Sequence, residues 1–451
     1  MKGWKAWSAA AAAALLMVSG APARGAGEPE NDLLRMKAEA GETGAPGTVP
    51  AAKTTSGAEA SPEGKKAAGA ELTSGAEASP EAQKATEAET DPWAGIFLEE
   101  KGLELGESSL RYPAISGMAD AALQEKVNAR ILEDGDVTAY VTRMSQLISG
   151  GRLRVGWQGC LRGGVFSFAV SAEGAVKTPR SAFVWTGGNI DLADGREIAW
   201  EELFADPAGA EEIIEQYLEE MAPDMSAHLL NSQLLPRPES FRMTERGILL
   251  LYPADQLSTL GDRAGDVLIP WNRLEKVLNL EEGSVTERFG VKTFLTLGPG
   301  SRASLEEAAA AGALPGIPVS LGDGVREKTD EWHLLTDPDV YAGGRLFALE
   351  GGSFRNVFLM TDFLSESWDK SVVDGIRVDE GCLFGLKIGE TTLKEWRAAL
   401  GEPDFMVDFD GERAEAYRTV PGSRDYYELG GHRLQLHCGE DGVLRGIILA
   451  E

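Results

Sequence analysis

Four histidines, His228, His333, His432 and His437, are all this 451-residue chain offers for proton shuttling or nitrogen ligation of a metal. No H-x-x-x-H, H-E-x-x-H or H-x-H pair occurs among them, so the usual metal-hydrolase spacings are missing. His432 and His437 are five residues apart, and on a strand an odd separation sends side chains to opposite faces, so joint ligation of one ion would need a bulge. Gly352-Ser353-Phe354 resembles part of a nucleophile elbow, but Arg355 stands where G-x-S-x-G needs its second glycine. Cys438 follows His437, yet adjacent strand residues point apart, and a Cys–His pair has to meet in space.

Carboxylates are the one abundant chemical group. A glycosidase needs two of them about 5 to 10 Å apart across the scissile bond. Glu201-Glu202, Glu211-Glu212, Glu219-Glu220 and Glu281-Glu282, however, fall at helix starts and exposed helical positions, where solvated charge is the expected role. Gly343-Gly344 and Gly351-Gly352 lack the Lys-Ser/Thr of a phosphate loop and read as turns. No catalytic, cofactor-binding or metal-ligating set is therefore assigned. Trp185, Trp200, Trp271, Trp332 and Trp368 are candidate recognition residues, with burial in a core as the competing role.

The chain carries 43 basic against 72 acidic side chains, a net charge of −29. That excess repels phosphate backbones and anionic lipid, which excludes nucleic acid and peripheral membrane partners as the default. Lys2 and Lys5, an apolar run from Trp7 to Val18 and the small-residue pattern Ala21-Pro22-Ala23 have the layout of a signal peptide, so 1–23 is expected to direct export. The run is short of the roughly 20 residues a spanning helix needs. Cleavage after Ala23 is the expected outcome, with a retained anchor as the alternative.

The stretch 24–92 is expected to be a disordered, low-complexity tether. No aromatic occurs from Gly27 to Pro92, and the nonamer TSGAEASPE stands at Thr55 to Glu63 and again at Thr73 to Glu81. Such a segment cannot bury enough apolar surface to offset its ordering entropy. Aromatics return at Trp93, and the residues beyond it are too many for one core.

Over 93–281, helices and strands mix. Leu123, Val127 and Ile131 place one helical face on Ala119 to Leu132; Val165 to Val170 and Ser181 to Trp185 read as partner strands joined by a turn at Glu173-Gly174. A helix is expected over Ala210 to Met221, strands at Gly247 to Tyr252 and Asp266 to Ile269, and a closing helix from Trp271 to Leu280. The middle region, 282–380, shows strands at Arg345 to Leu349, Asn356 to Thr361 and Val372 to Val378 and a short helix at Ser304 to Ala311. In 381–451, Thr392-Leu393-Lys394-Glu395 is a capping box, Gly401 and Pro403 stop its helix, and four strands are expected at Ala414 to Thr419, Asp425 to Leu429, His432 to Cys438 and Leu444 to Leu449. Leu434, Leu436 and Cys438 then face Trp396, leaving His437 on the far side where truncation should cost little. The class is α+β and multi-domain, with antiparallel sheets and packed helices behind a signal peptide and linker.

Three cysteines, Cys160, Cys382 and Cys438, are too few for a disulfide scaffold. If one bridge forms, Cys382 with Cys438 is the expected pair; three reduced thiols are the alternative.

Two resemblances follow from these motifs. Tyr112-Pro113-Ala114-Ile115-Ser116-Gly117, then Asn189-Ile190-Asp191-Leu192 with Asp194-Gly195-Arg196-Glu197-Ile198 and Glu202-Leu203-Phe204, then Phe241 to Tyr252 leading into Ile269-Pro270-Trp271, resemble the extracytoplasmic module of RsiV-type anti-sigma factors and the non-catalytic part of PdaC-type peptidoglycan deacetylases. The resemblance covers about 105–281. It implies an α+β module outside the bacterial cytoplasm that in the anti-sigma factors binds lysozyme. Family members often carry Ala-His-Pro ahead of the Asn-x-Asp-Leu strand. Here Thr178, Pro179 and Arg180 hold that place, keep the proline, and form the recognition loop the resemblance implies. Phe384-Gly385-Leu386-Lys387-Ile388-Gly389 with the following helix and meander is similar to β-lactamase-inhibitor-like and small outer-membrane-lipoprotein-like modules, which implies interaction and not turnover. The expected function is a secreted or envelope-associated binding or sensing protein for a protein or cell-wall glycan, with a weakly marked acidic wall hydrolase as the alternative.

Overall fold

Asp120 accepts hydrogen bonds from the backbone N–H groups of Ala122 and Leu123 and so starts helix α1 (Ala121–Asp134), whose Val127 and Ile131 are fully buried. They pack on the six-stranded sheet of β1 (Phe97–Leu105), β2 (Ser108–Ser116), β3 (Arg152–Arg162), β4 (Val165–Ala175), β5 (Ser181–Asp191) and β6 (Arg196–Glu197), arranged in chain order. Asn128 on α1 clamps the backbone of Ile115 from both sides, accepting from its N–H at 2.7 Å and donating to its carbonyl at 2.9 Å. A second helix, α2 (Val137–Gln146), follows α1, and this helical crossover lets β3 meet β2 in parallel at Ser109/Arg154 and Leu110/Val155. All other named strand pairs are antiparallel.

The computed structural model describes residues 93, 95–146, 151–175, 181–225, 238, 240–252, 265–326, 339–349, 354–363, 367 and 370–451. The segments expected to be a signal peptide, 1–23, and a linker, 24–92, together with the loop Thr178-Pro179-Arg180, Ser353, His228, His333, Trp332 and Trp368, lie outside the described residues.

A three-stranded sheet, β7 (Ser240–Met243), β8 (Gly247–Tyr252) and β9 (Gly265–Pro270), packs Leu249, Leu251 and Leu268 against Ala169 of the larger sheet. Beneath it lies a second apolar core that takes Ile214 and Tyr217 from α3 (Pro207–Met225) and Trp271 from the single turn α4 (Trp271–Leu274). The two expected strands fall in the paired β4 and β5, but not opposite each other: Glu173 and Gly174 continue β4 instead of turning it, so Val165–Val170 pairs with Thr186–Asp191 and Ser181–Trp185 with Ser171–Ala175. The helix expected from Trp271 to Leu280 stops after Leu274.

This core does not end at 281. Two short helices, α5 (Val285–Arg288) and α6 (Val291–Leu295), add Val285, Phe289, Val291, Phe294 and Leu295 to it. The next helix, α7 (Pro299–Ala311), turns away and buries Leu305 and Ala309 in a different core.

That other core belongs to an eight-stranded sheet. Its strands are β10 (Asp339–Tyr341), β11 (Gly344–Ala348), β12 (Val357–Thr361), β13 (Gly375–Val378), β16 (Phe405–Phe409), β17 (Gly422–Leu429), β18 (His432–Gly439) and β19 (Leu444–Ala450), in the order β10-β11-β12-β13-β19-β18-β17-β16. The hairpin β14 (Cys382–Leu383) and β15 (Leu386–Lys387) leads into α8 (Leu393–Leu400). Because β13 pairs with β19, the sheet runs across the expected boundary at 380/381, and the middle and last regions share one core. The strand expected over Ala414 to Thr419 is instead α9 (Gly411–Ala416), capped by Asp410, and the edge strand is the earlier Phe405–Phe409.

Leu434, Leu436 and Cys438 face the helices together with Trp396, as expected. His432 and His437 sit on opposite faces: His432 Nδ1 is 2.7 Å from the Ala309 carbonyl, whereas His437 Nε2 is 2.8 Å from that of Val420. His437 is nevertheless buried, because Phe409 lies edge-on to its ring at 5.2 Å. The expectation that its truncation costs little is thereby corrected. The bridge expected between Cys382 and Cys438 is not formed, and all three cysteines are free thiols. Cys382 Sγ donates to the Phe294 carbonyl at 3.0 Å, while Cys438 Sγ lies 3.2 Å from Ser423 Oγ on the neighbouring strand, so each sulfur is turned to a separate partner.

Candidate functional site

The strand β5 ends in Asn189-Ile190-Asp191, and alternation sends Ile190 into the α1 core while Asn189 and Asp191 face the other way. Asn189 is structural: its amide donates to the Phe241 carbonyl at 2.8 Å and its oxygen accepts from Ser167 at 2.6 Å, fastening β7 across the sheet. Asp191 lies at the floor of a cleft of 540 Å³, lined also by Trp93, Arg196, Glu202, Asn279, Ser284 and Arg288. The turn after it places Arg196. Gly195, with φ of +68°, donates to the Asp191 carbonyl at 2.8 Å, and the Asp194 side chain accepts from Arg196 N–H.

Two arginines fix the acidic groups of this cleft. Arg288 donates to Asp191 from two nitrogens, at 2.7 and 3.2 Å, and Ala193 N–H adds a third bond at 3.1 Å. Burial raises the Asp191 carboxyl, but these bonds and the charges of Arg288 and Arg196 outweigh it and hold the group below the usual carboxylate range. Arg196 donates to Glu202 at 2.6 Å, which lowers that carboxyl as well, and Glu202 also accepts from Ala199 N–H at the start of its turn. Ser284 caps α5 and so aims Arg288 inward. Trp93 packs over Gly164, where a Cβ would stand 2.2 Å from the indole; with φ of +74° this position admits glycine alone without strain.

The sequence motif thus contained Asp191, Arg196 and Glu202, although the pair Glu201-Glu202 reads as solvated charge from sequence. Arg288 carries no local signal, being 97 residues from Asp191. Of the candidate recognition tryptophans, Trp200 and Trp271 are core residues, and the tryptophan that does line the cleft, Trp93, is not among those candidates.

A second cleft of 380 Å³ is lined by Asn272, Asn356, Asp379, Glu380, Glu390 and Arg445. Its charges join the two cores. Glu380 accepts from Tyr217 at 3.0 Å and from Asn356 at 2.8 Å, and Asn272 donates to Glu390 at 2.9 Å. Buried Arg246 is lowered to about 10 by desolvation, against the opposing pull of the Glu380 charge. Among the described residues no cluster of three His, Cys, Asp or Glu side chains is placed to hold a metal ion. Among them also, no helix is long and apolar enough to cross a membrane.

No family model and no curated protein matches the sequence. Among solved structures the chain is similar to a DUF3298 family protein from Bacteroides fragilis, at 12% identity over 44% of this chain and 98% of that one with a TM-score of 0.32. A DUF3298 family protein from Pseudomonas aeruginosa is similar at 12% identity over 41% and 94%, with a TM-score of 0.29. A DUF4309 family protein from Bacillus subtilis follows at 11% identity over 34% and 97%, with a TM-score of 0.24.

Proposed function

We propose that this chain is an extracytoplasmic binding protein of the bacterial envelope, that it holds cell-wall glycan in the cleft of Trp93, Asp191 and Arg288, and that it does not turn its ligand over. The observation that carries this reading is the pairing of both cleft carboxylates with arginines. Glycoside hydrolysis needs one carboxyl protonated near neutral pH, whereas Asp191 and Glu202 are both shifted downward. What remains is an indole, two guanidinium groups, two carboxylates and the polar side chains of Asn279 and Ser284. That set suits the apolar faces and hydroxyl edges of a sugar. The signal-peptide layout of 1–23 and the resemblance to RsiV-type and PdaC-type modules support the location. Of the carboxyls that burial raises, Asp134, at about 7, lines neither cleft, and Asp379, in the wall of the second, is held by two nitrogens of Arg377 at 2.6 and 2.8 Å, which disfavours it as a proton donor.

The test is calorimetric titration of the full chain with a soluble N-acetylglucosamine oligomer and with solubilised peptidoglycan fragments, alongside chromatography for released product. Binding that weakens about tenfold in Trp93→Ala, a loss of about 1.4 kcal/mol, with no product in either sample, is expected. Product release abolished by Glu202→Gln would overturn the reading, as would absence of binding to both ligands. N-terminal sequencing of the exported protein should find a chain beginning near Arg24; Met1 would show a retained anchor.

A further inference from the structure

Each large sheet has edges that invite further pairing, and proteins commonly blunt such edges with charge or brevity. The edge strand β1 carries Glu99, Glu100, Lys101 and Glu104 among its nine residues. At one edge of the eight-stranded sheet, β10 is only three residues long. The other edge, β16, is less guarded: Phe-Met-Val-Asp-Phe carries a single charge and, among the described residues, pairs with β17 alone. Phe405 and Met406 are 43% and 50% exposed. The strand is held firmly, because Phe409 is buried between Arg424, whose guanidinium lies 4.4 Å from its ring centroid, and His437, and because Phe405 stacks on Tyr426 at 4.4 Å.

The flanks of this edge are acidic. Between Gly401 and Arg413 stand Glu402, Asp404, Asp408, Asp410 and Glu412, with Arg413 the one basic side chain. Two nearby arginines are already engaged, Arg397 with Asp425 and Arg433 with Glu428. Two copies of β16 brought edge to edge would oppose acidic flanks to acidic flanks, which disfavours self-pairing.

We propose that the free edge of β16 docks an extended segment of a cationic protein partner by strand addition, the segment alternating apolar residues with lysine or arginine. Main-chain hydrogen bonds would supply the common part of the affinity, Phe405 and Met406 an apolar contact on each face, and the acidic flank the selection for positive charge. This surface is separate from the Trp93 cleft, and the inference does not rest on the cleft binding a glycan.

The experiment uses the full chain and a short fluorescein-labelled peptide alternating lysine with valine, followed by anisotropy at low salt. A control peptide of the same charge has proline in place of its central valine. The proline peptide is expected to bind at least about tenfold more weakly, and the bound valine peptide to slow amide exchange over 405–409. Asp408→Lys should weaken binding by a similar factor and the exposed Met406→Lys likewise, whereas Glu125→Lys, an equal charge change on the exposed side of α1, should alter it less than about twofold. Equal binding of the two peptides, or equal loss in Glu125→Lys and Asp408→Lys, would reduce the effect to bulk charge and overturn the proposal. A peptide-free dimer by sedimentation that Met406→Lys dissociates would instead assign the edge to a second copy, and would overturn it too.

Discussion

Arg288 grips Asp191 with two guanidinium nitrogens, tying helix α5 to the end of β5 across 97 residues of chain. The Asp191 side chain is only 7% exposed and that of Arg288 23% exposed, so removing the cation leaves a carboxylate poorly solvated. Arg288→Ala should therefore cost about 2–4 kcal/mol in urea unfolding at pH 7. The folded-state pKa of Asp191 is depressed, so its stabilisation is present above the unfolded carboxylate range and is lost as pH falls through the folded value. The acid-induced fall in stability should accordingly be shallower in the variant. A variant as stable as the parent would show the pair to be inert.

Asp134 behaves in the reverse sense. Its carboxyl is raised to about 7, first by burial and then by the charges of Glu197 and Glu133, against the pull of Arg130. A raised carboxyl stabilises the fold below its unfolded pKa and loses that contribution as pH climbs through about 7. Asp134→Asn should thus stabilise the protein by roughly 1–3 kcal/mol at pH 8 and change little at pH 4. Melting temperatures at the two pH values decide it, and a gain of equal size at both would refute the assignment.

Trp396 is fully buried and donates from Nε1 to Asp425 at 3.0 Å, the carboxylate that Arg397 also holds at 2.6 and 2.7 Å. Trp396→Ala should destabilise by about 3–5 kcal/mol. Trp396→Phe, which keeps most of the volume but not the donor, should fall between the two. The urea midpoint of each variant is the measurement.

His437 is lowered to about 4 by burial and by the charges of Arg424 and Arg377, with the Val420 carbonyl acting the other way. Stability from the neutral ring is complete above the unfolded histidine range and drains away as pH falls toward about 4. His437→Ala should cost roughly 1–3 kcal/mol at pH 7 and markedly less at pH 4. A pH-independent cost would point to packing with Phe409 alone.

The thiols provide a chemical check. Burial pushes Cys160 up to about 11 and Cys382 up to about 12, so iodoacetamide at pH 8 finds little thiolate on either. Mass spectrometry should record three alkylated cysteines in denaturant without reductant, and neither Cys160 nor Cys382 alkylated under native conditions. Any pair that stays unlabelled in denaturant until reduced would reveal a bridge.

Local patterns in the sequence located α1, α7, α8 and most strands, because the spacing of Leu123, Val127 and Ile131 or the capping box at Thr392 depends on neighbours alone. What it concealed was non-local. Nothing near Val378 announces that it pairs with Ile447, so the sheet shared by the middle and last regions looked like two units. Phe405–Phe409 was missed as a strand and Ala414–Thr419 mistaken for one, since the Asp410 cap outweighed the strand pattern expected from Ala414 to Thr419. At the cleft, Asp191 and Arg196 stood in the quoted motif, but their partner Arg288 and the indole of Trp93 come from distant segments that only the fold brings near.

The position of β19 between β13 and β18 has a consequence for any chain that emerges N-terminus first, as export across a membrane also requires. The strands β10 to β13 emerge first and can pair with one another, yet β13 then presents an open edge until Leu444–Ala450 has followed. Until then the chain carries Ile376 and Val378, both buried in the finished sheet, beside an unfilled strand position. Holding that edge apart from other chains is the natural task for a chaperone on the side where the chain folds.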